Sequence, residues 1–250
     1  MNTNITPDVF ASYTAAAIAK SGFRLGDEIK INKIGNFILS EAQEDFVKGA
    51  PTKSKVRWSG TGFTTTGSDA NHATKPKITV TDAGATVAAG ALAGLRLTIM
   101  DVGATPDLDV EMRIKTNTAG ASGSAMTIYL ESPLAAEVTT GISLYAWDPD
   151  YVELGDLDED SQCNGVAPCV VDMSEAPFFW RQGDGYTYCK MSDGATSAIK
   201  LAIRVSDTAG SFKLATLTGN AQDYDQIVGF VVQPATVNDG LALVKLNRLS

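Results

Sequence analysis

Chemistry in a protein chain starts with its carboxylates, thiols and imidazoles, and here the carboxylates crowd into one stretch: Asp148, Asp150, Glu153, Asp156, Asp158, Glu159 and Asp160. Alternating acids can hold calcium, which takes several oxygen ligands from a flexible loop. The run Asp156, Asp158, Asp160 begins like such a loop, but Ser161, Gln162 and Cys163 follow where the sixth-place Gly and the distal Glu should stand. The stretch therefore reads as a solvated acidic loop. Glycoside hydrolysis needs two carboxylates held across a cleft, and nothing in the run singles out a pair. The three cysteines, Cys163, Cys169 and Cys189, are too few for a disulfide scaffold. A Cys163 to Cys169 bridge is one alternative, and a zinc site would need all three thiolates plus a distant fourth ligand. Buried thiols, each acting as a small hydrophobe, are the expected state. His72 is the only imidazole and sits between Asn71 and Ala73 in a polar stretch. No GxSxG, Ser-His-Asp or Cys-His arrangement exists, so no catalytic residue, metal or cofactor is expected.

The elements that would have to position such groups are short strands. From Lys77 onward, alternating runs are separated by Gly, Asn and Asp: Ile78–Thr81, Leu95–Ile99, Val110–Ile114, Met126–Leu130 and Ile142–Tyr145. After residue 190 come Ala198–Val205, Phe212–Leu217, Ile227–Val232 and Leu241–Leu246. Many short strands at regular spacing predict a mainly β fold, with a β-sandwich or barrel-like body over residues 76–250. Two β subdomains, 76–160 and 161–250, are an option within it. Residues 1–75 read as an N-terminal arm and linker with local structure. A short helix is expected from Pro7 to Lys20, ended by Gly22, with Val9, Phe10, Tyr13, Ala17 and Ile18 on one face. Gly35 leaves helix and strand open for 29–38, and the Gly- and Thr-rich stretch 49–76 reads as an exposed loop or linker.

The densest segment is 164–188. In Phe178-Phe179-Trp180, period 2 puts Phe178 and Trp180 on one face and Phe179 on the other, as in a strand buried on both sides. Core or subunit interface is the expected use of these aromatic residues.

A net charge of −9 argues against a protein that wraps phosphate backbones, so nucleic acid is not an expected partner. The one basic stretch, with Lys48, Lys53, Lys55 and Arg57 ahead of Trp58, suits a solvated loop or an acidic partner surface. Ala83–Met100 is weakly polar but interrupted by Arg96, which fails as a membrane span. The first twenty residues carry no basic segment with an apolar core behind it, so synthesis in the cytosol is expected.

The words Gly165-Val166-Ala167-Pro168, then Trp180, Gln182 and Gly183, then Ile227-Val228-Gly229 and the closing Leu241–Leu246 resemble those of structural proteins of tailed bacteriophage virions, some of which decorate or cement the capsid. The resemblance covers roughly 98–249. Gly183-Asp184-Gly185 departs from the family's Thr-x-Gly, and residues 1–75 inherit nothing. What the resemblance implies is a location on the virion capsid surface, a homotrimer, docking on the major capsid protein and no enzymatic activity. Combined with the arm, it makes Phe10, Tyr13, Ile18, Lys48, Lys53, Lys55, Arg57, Trp58, Phe178 and Trp180 the expected capsid or subunit contacts. Two other readings are a tail- or fibre-associated protein whose Trp147, Tyr151 or Trp180 binds host glycans, and a polysaccharide-cleaving enzyme using the acidic stretch.

Overall fold

The computed structural model describes residues 7–63, 77–101, 110–132, 142–155, 163–194, 197–215, 227–247 and 249. The chain is mainly β, as expected, with one short helix among the described residues. In order the elements are β1 (Ser12–Tyr13), α1 (Ala15–Ser21), β2 (Glu28–Ile31), β3 (Gly35–Ala42), β4 (Pro51–Phe63), β5 (Lys77–Val80), β6 (Arg96–Asp101), β7 (Val110–Asn117), β8 (Met126–Leu130) and β9 (Ile142–Leu154). They continue with β10 (Cys163–Val166), β11 (Phe178–Gln182), β12 (Gly185–Met191), β13 (Ala202–Val205), β14 (Phe212–Leu214), β15 (Gly229–Gln233) and β16 (Gly240–Leu246).

The chain divides into two units, 1–55 with 150–250, and 56–149. This corrects the expected arm. Phe37 to Glu41 of β3 pair with β11, Leu39 opposite Trp180 and Ile38 opposite Arg181, and β1 pairs β11 at Tyr13 and Phe178. The first fifty-five residues thus fold with the second half of the chain, and the cut at 160/161 is not where the units divide.

Helix α1 is shorter than predicted. Thr14 caps it, its Oγ1 accepting from the Ala17 N–H at 3.2 Å, and Gly22 ends it at φ 79°, as its sequence position suggested. Residues 7–13 are turn and strand, because Val9 and Tyr13 are drawn into the apolar cluster beside Phe37, Leu39 and Trp180. The expected linker is corrected too: 51–63 is strand β4, while 64–76, His72 included, lie outside the described residues.

In the first unit, neighbours run β2, β3, β11, β10, β4. The alternation read at Phe178-Phe179-Trp180 holds. Phe178 and Trp180 face the cluster of Val9, Phe37 and Leu39, with Phe23 edge-on to Trp180 at 5.3 Å. Phe179 faces the other side, 5.4 Å from Phe46, among Ala42, Val152, Ala167 and Val171. Strands β12, β14, β13, β15 and β16 close a small barrel around Cys189, Met191, Ile203, Phe212, Val231 and Val244. The unit 56–149 has its own core, with β9, β6, β7, β8 and β5 in order and Trp58, Leu97, Ile114, Met126 and Ile128 inside. Strands β4 and β9 each carry residues of both units.

Candidate interaction surface

Three questions decide what this chain can do chemically: whether its thiols are nucleophiles, whether its buried polar groups converge, and what its outer faces present. All three cysteines are free. Cys163 and Cys189 belong to the barrel core and Cys169 to the cluster around Phe179. Burial pushes the thiols of Cys163 and Cys169 up to about 11 and raises Cys189 well above its usual value. A thiol kept neutral at physiological pH is a weak nucleophile. Because the folded values exceed the usual value of 9.0, ionisation favours the unfolded chain. Stability should therefore be insensitive to these groups below about pH 9 and fall as pH rises from 9 toward 11. Denaturant midpoints across that range check this, with Cys163→Ala and Cys169→Ala each expected to flatten the slope.

The buried polar groups form a structural tie. Arg181 lies on the Phe179 side of β11, its Nε donating to Ser40 Oγ at 2.9 Å and its guanidinium to the Asn164 carbonyl. Asn164 in turn donates to Ser54 Oγ at 2.6 Å and accepts from Thr52 Oγ1 at 2.8 Å. These contacts link β3, β4, β10 and β11 through neutral partners, which suits a cross-strand brace. One residue on, Gln182 Nε2 lies 3.2, 2.9 and 3.0 Å from the carbonyls of Ile34, Asp184 and Tyr186. Asp184 Oδ1 accepts from the Asn36 N–H at 2.7 Å, so the turn after β11 is clasped to the start of β3.

The described residues include part of the acidic stretch. Asp148, Asp150 and Glu153 lie on β9 and not in a loop. Lys55 Nζ is 3.1 Å from Glu153, and Arg57 is 3.8 Å from Asp148. Asp156 to Asp160 lie outside the described residues, and no group of three potential ligands occurs among the described ones.

Most of the expected contact residues turn out to be packing residues. Trp180 is fully buried, and Trp58 is buried with Nε1 donating to the Ala83 carbonyl at 2.9 Å. Lys53 is buried on β4, and Phe178 and Ile18 pack against the cluster around Trp180. Tyr13 donates its hydroxyl to the Asp8 carbonyl at 2.6 Å, and burial raises its pKa. Phe10 is exposed, edge-on to Phe37 at 6.1 Å. Lys48 is exposed and leans over the ring of Tyr188, 5.3 Å from its centroid.

That last contact leads to a surface the sequence reading missed. On β12, Thr187, Cys189 and Met191 point into the barrel, which leaves Tyr186, Tyr188 and Lys190 outside. On β16, Ala242, Val244 and Leu246 point in, and Leu241, Leu243 and Lys245 point out. On β15 the outward pair is Phe230 and Val232. Register assembles them into rows: Tyr186 and Phe230 flank Lys245 from either side, Tyr188 faces Leu243, and Lys190 faces Leu241. Tyr186, Tyr188 and Phe230 remain 47%, 45% and 44% exposed. The signal was present in the sequence as apolar residues in both phases of the alternation, Tyr186 and Tyr188 in one and Cys189 and Met191 in the other. A strand with one solvated face normally keeps polar residues in one phase. The cations of this face are Lys190, Lys245 and the adjoining Lys48, and Asp239 is 3.8 Å from Lys190.

No family model, curated protein or solved structure matches the chain. No helix among the described residues is long and apolar enough to cross a membrane.

Proposed function

We propose that this chain is a non-enzymatic virion structural protein, a capsid decoration or cement protein that associates with itself and binds across neighbouring coat subunits. The observation that carries an assembly role is the outer barrel face. Aromatic and aliphatic side chains there lie side by side in the open, and contiguous exposed apolar surface rimmed by polar groups marks sites of protein association. Tyr supplies apolar area with a polar tip, as interfaces favour.

The virion part of the reading rests on the resemblance over 98–249. Its words fall where the fold is most constrained: Gly165 and Val166 on β10, Gln182 in the clasp, Gly229 against the β16 backbone and the closing strand itself. Docking on a lattice would use several weak contacts at once, with each bound copy raising the effective concentration of the next contact. A ligand of the assembled shell stabilises it by mass action. Of the aromatic residues of the glycan-binding reading, Trp180 is buried, Trp147 donates to Thr98 Oγ1 at 2.8 Å with Arg96 5.5 Å from its ring, and Tyr151 is half-buried on β9.

The test is co-sedimentation of the purified chain with empty capsids, together with the heat and low-salt resistance of particles that lack it. Binding and loss of resistance are expected. Capsids that ignore the protein, and particles that stay resistant without it, would sink the proposal.

A further inference from the structure

Exposed apolar side chains occur at a second place in the same unit. Val47, Val170 and Met173 are 48%, 66% and 45% exposed, held together by the bridge between Phe46 and Val171 and by the Met173 N–H donating to Asp45 Oδ1 at 2.9 Å. The charged residues among them are Glu44, Asp45, Asp172 and Glu175, all exposed. Hydrogen bonds from Ser174 hold the Asp172 carboxyl below its ordinary value, so it stays ionised well into the acid range. This patch is apolar and acidic, whereas the barrel face is apolar and basic. The two abut, because Val47 belongs to one and Lys48 to the other, and the Gly49 carbonyl accepts from the Lys190 N–H at 2.9 Å on the barrel.

We infer that the barrel face of one copy binds the acidic patch around Met173 of a second copy. A patch laid on its own copy meets a surface of the same sign. Each complements the other in sign, and both offer apolar area to cover. Because the two patches lie side by side on one subunit, two copies can make both contacts at once as a reciprocal pair, each barrel face on the other's acidic patch. The inference rests on the reading of the barrel face as an assembly surface and supplies its partner.

Sedimentation velocity on the full chain tests it, with near-UV circular dichroism confirming that every variant is folded. Concentration-dependent association is expected, weakening by about tenfold or more between roughly 0.05 and 0.5 M salt. Lys245→Glu and Glu175→Lys should each weaken association by about tenfold, and mixing the two variants should restore it, because each supplies the sign the other lacks. A parent chain that stays monomeric at about 100 μM, some hundredfold above the micromolar range of weak specific contacts, would overturn the inference. So would association that both variants leave unchanged, or variants that mixing fails to rescue. Self-association without capsid binding would sink the proposed function and leave the contact standing. A monomer that binds capsids would do the reverse.

Discussion

Trp180→Ala should destabilise the unit formed by 1–55 and 150–250 by about 3–5 kcal/mol, among the largest single-site losses in the protein. The indole is fully buried where strand β11 meets β3, against Val9, Phe37 and Leu39 and edge-on to Phe23. Removing it strips the transfer energy of the ring and leaves a cavity that two paired strands cannot collapse to fill. The indole Nε1 has no hydrogen-bond partner, so Trp180→Phe gives up ring area while shedding an unsatisfied buried donor, and should cost about 1–2 kcal/mol. Chemical denaturation followed by near-UV circular dichroism separates the two variants. A loss below about 1 kcal/mol for Trp180→Ala would mean that the cluster is not the keystone of β11. The unit 56–149 has a separate core, and its transition should be unmoved.

The second large effect is expected at Gly185. Its φ is 85°, in the left-handed region, and a Cβ there would overlap the Ile34 carbonyl oxygen. Alanine would bring a left-handed backbone cost of about 1–2 kcal/mol. It would also force apart a contact whose other side is Gly35, where a Cβ would meet the Asp184 carbonyl. Neither obstacle is a flexible side chain, so relief must come from the turn that Gln182 and Asp184 clasp. Gly185→Ala should cost about 3–4 kcal/mol in all and lower the melting temperature of this unit by roughly 10 °C. Gly22→Ala, in the same unit, is the control: at a φ of 79° with open space around it, it bears the backbone cost alone. Equal shifts in the two variants would show that the contact with β3 contributes nothing.

How much of this was legible in the sequence depends on whether a residue's role is local. The two faces of Phe178-Phe179-Trp180 follow from strand period alone and were read correctly. The end of α1 at Gly22 follows from a glycine's tolerance of positive φ. Strand β4 was hidden because three consecutive buried positions on it are polar. Thr52, Lys53 and Ser54 are inside, with Asn164, over a hundred residues away, as partner to Thr52 and Ser54. A strand that buries hydroxyls reads as a loop until that partner is known. The arm was misread for the same reason, since β3 has its mate in β11 and local pattern carries no trace of it. Asp148, Asp150 and Glu153 looked like a solvated loop, whereas Lys55 and Arg57 on β4 draw Glu153 and Asp148 into cross-strand pairs. Among the expected contact residues, Trp58 was taken as a surface contact and proves to be core, while Trp180 takes the first of the two uses read for it, core or interface. The open aromatic face lies instead on β12, β15 and β16, where alternation could have revealed it.

The pairing of Leu39 with Trp180 has a consequence in time as well as in space. A ribosome extends the chain by about 5–20 residues per second, and contacts distant in sequence are slow to close. The 56–149 unit is contiguous and can complete its core while the rest is still being made. Strand β3, by contrast, must wait for some 140 further residues before its mate is synthesised, with Phe37 and Leu39 meanwhile uncovered. Strand β16 closes the barrel only after every other described strand has been made. The outer rows of the barrel therefore come into being after the other described strands, so a nascent chain cannot present this face before the cores of both units have been synthesised.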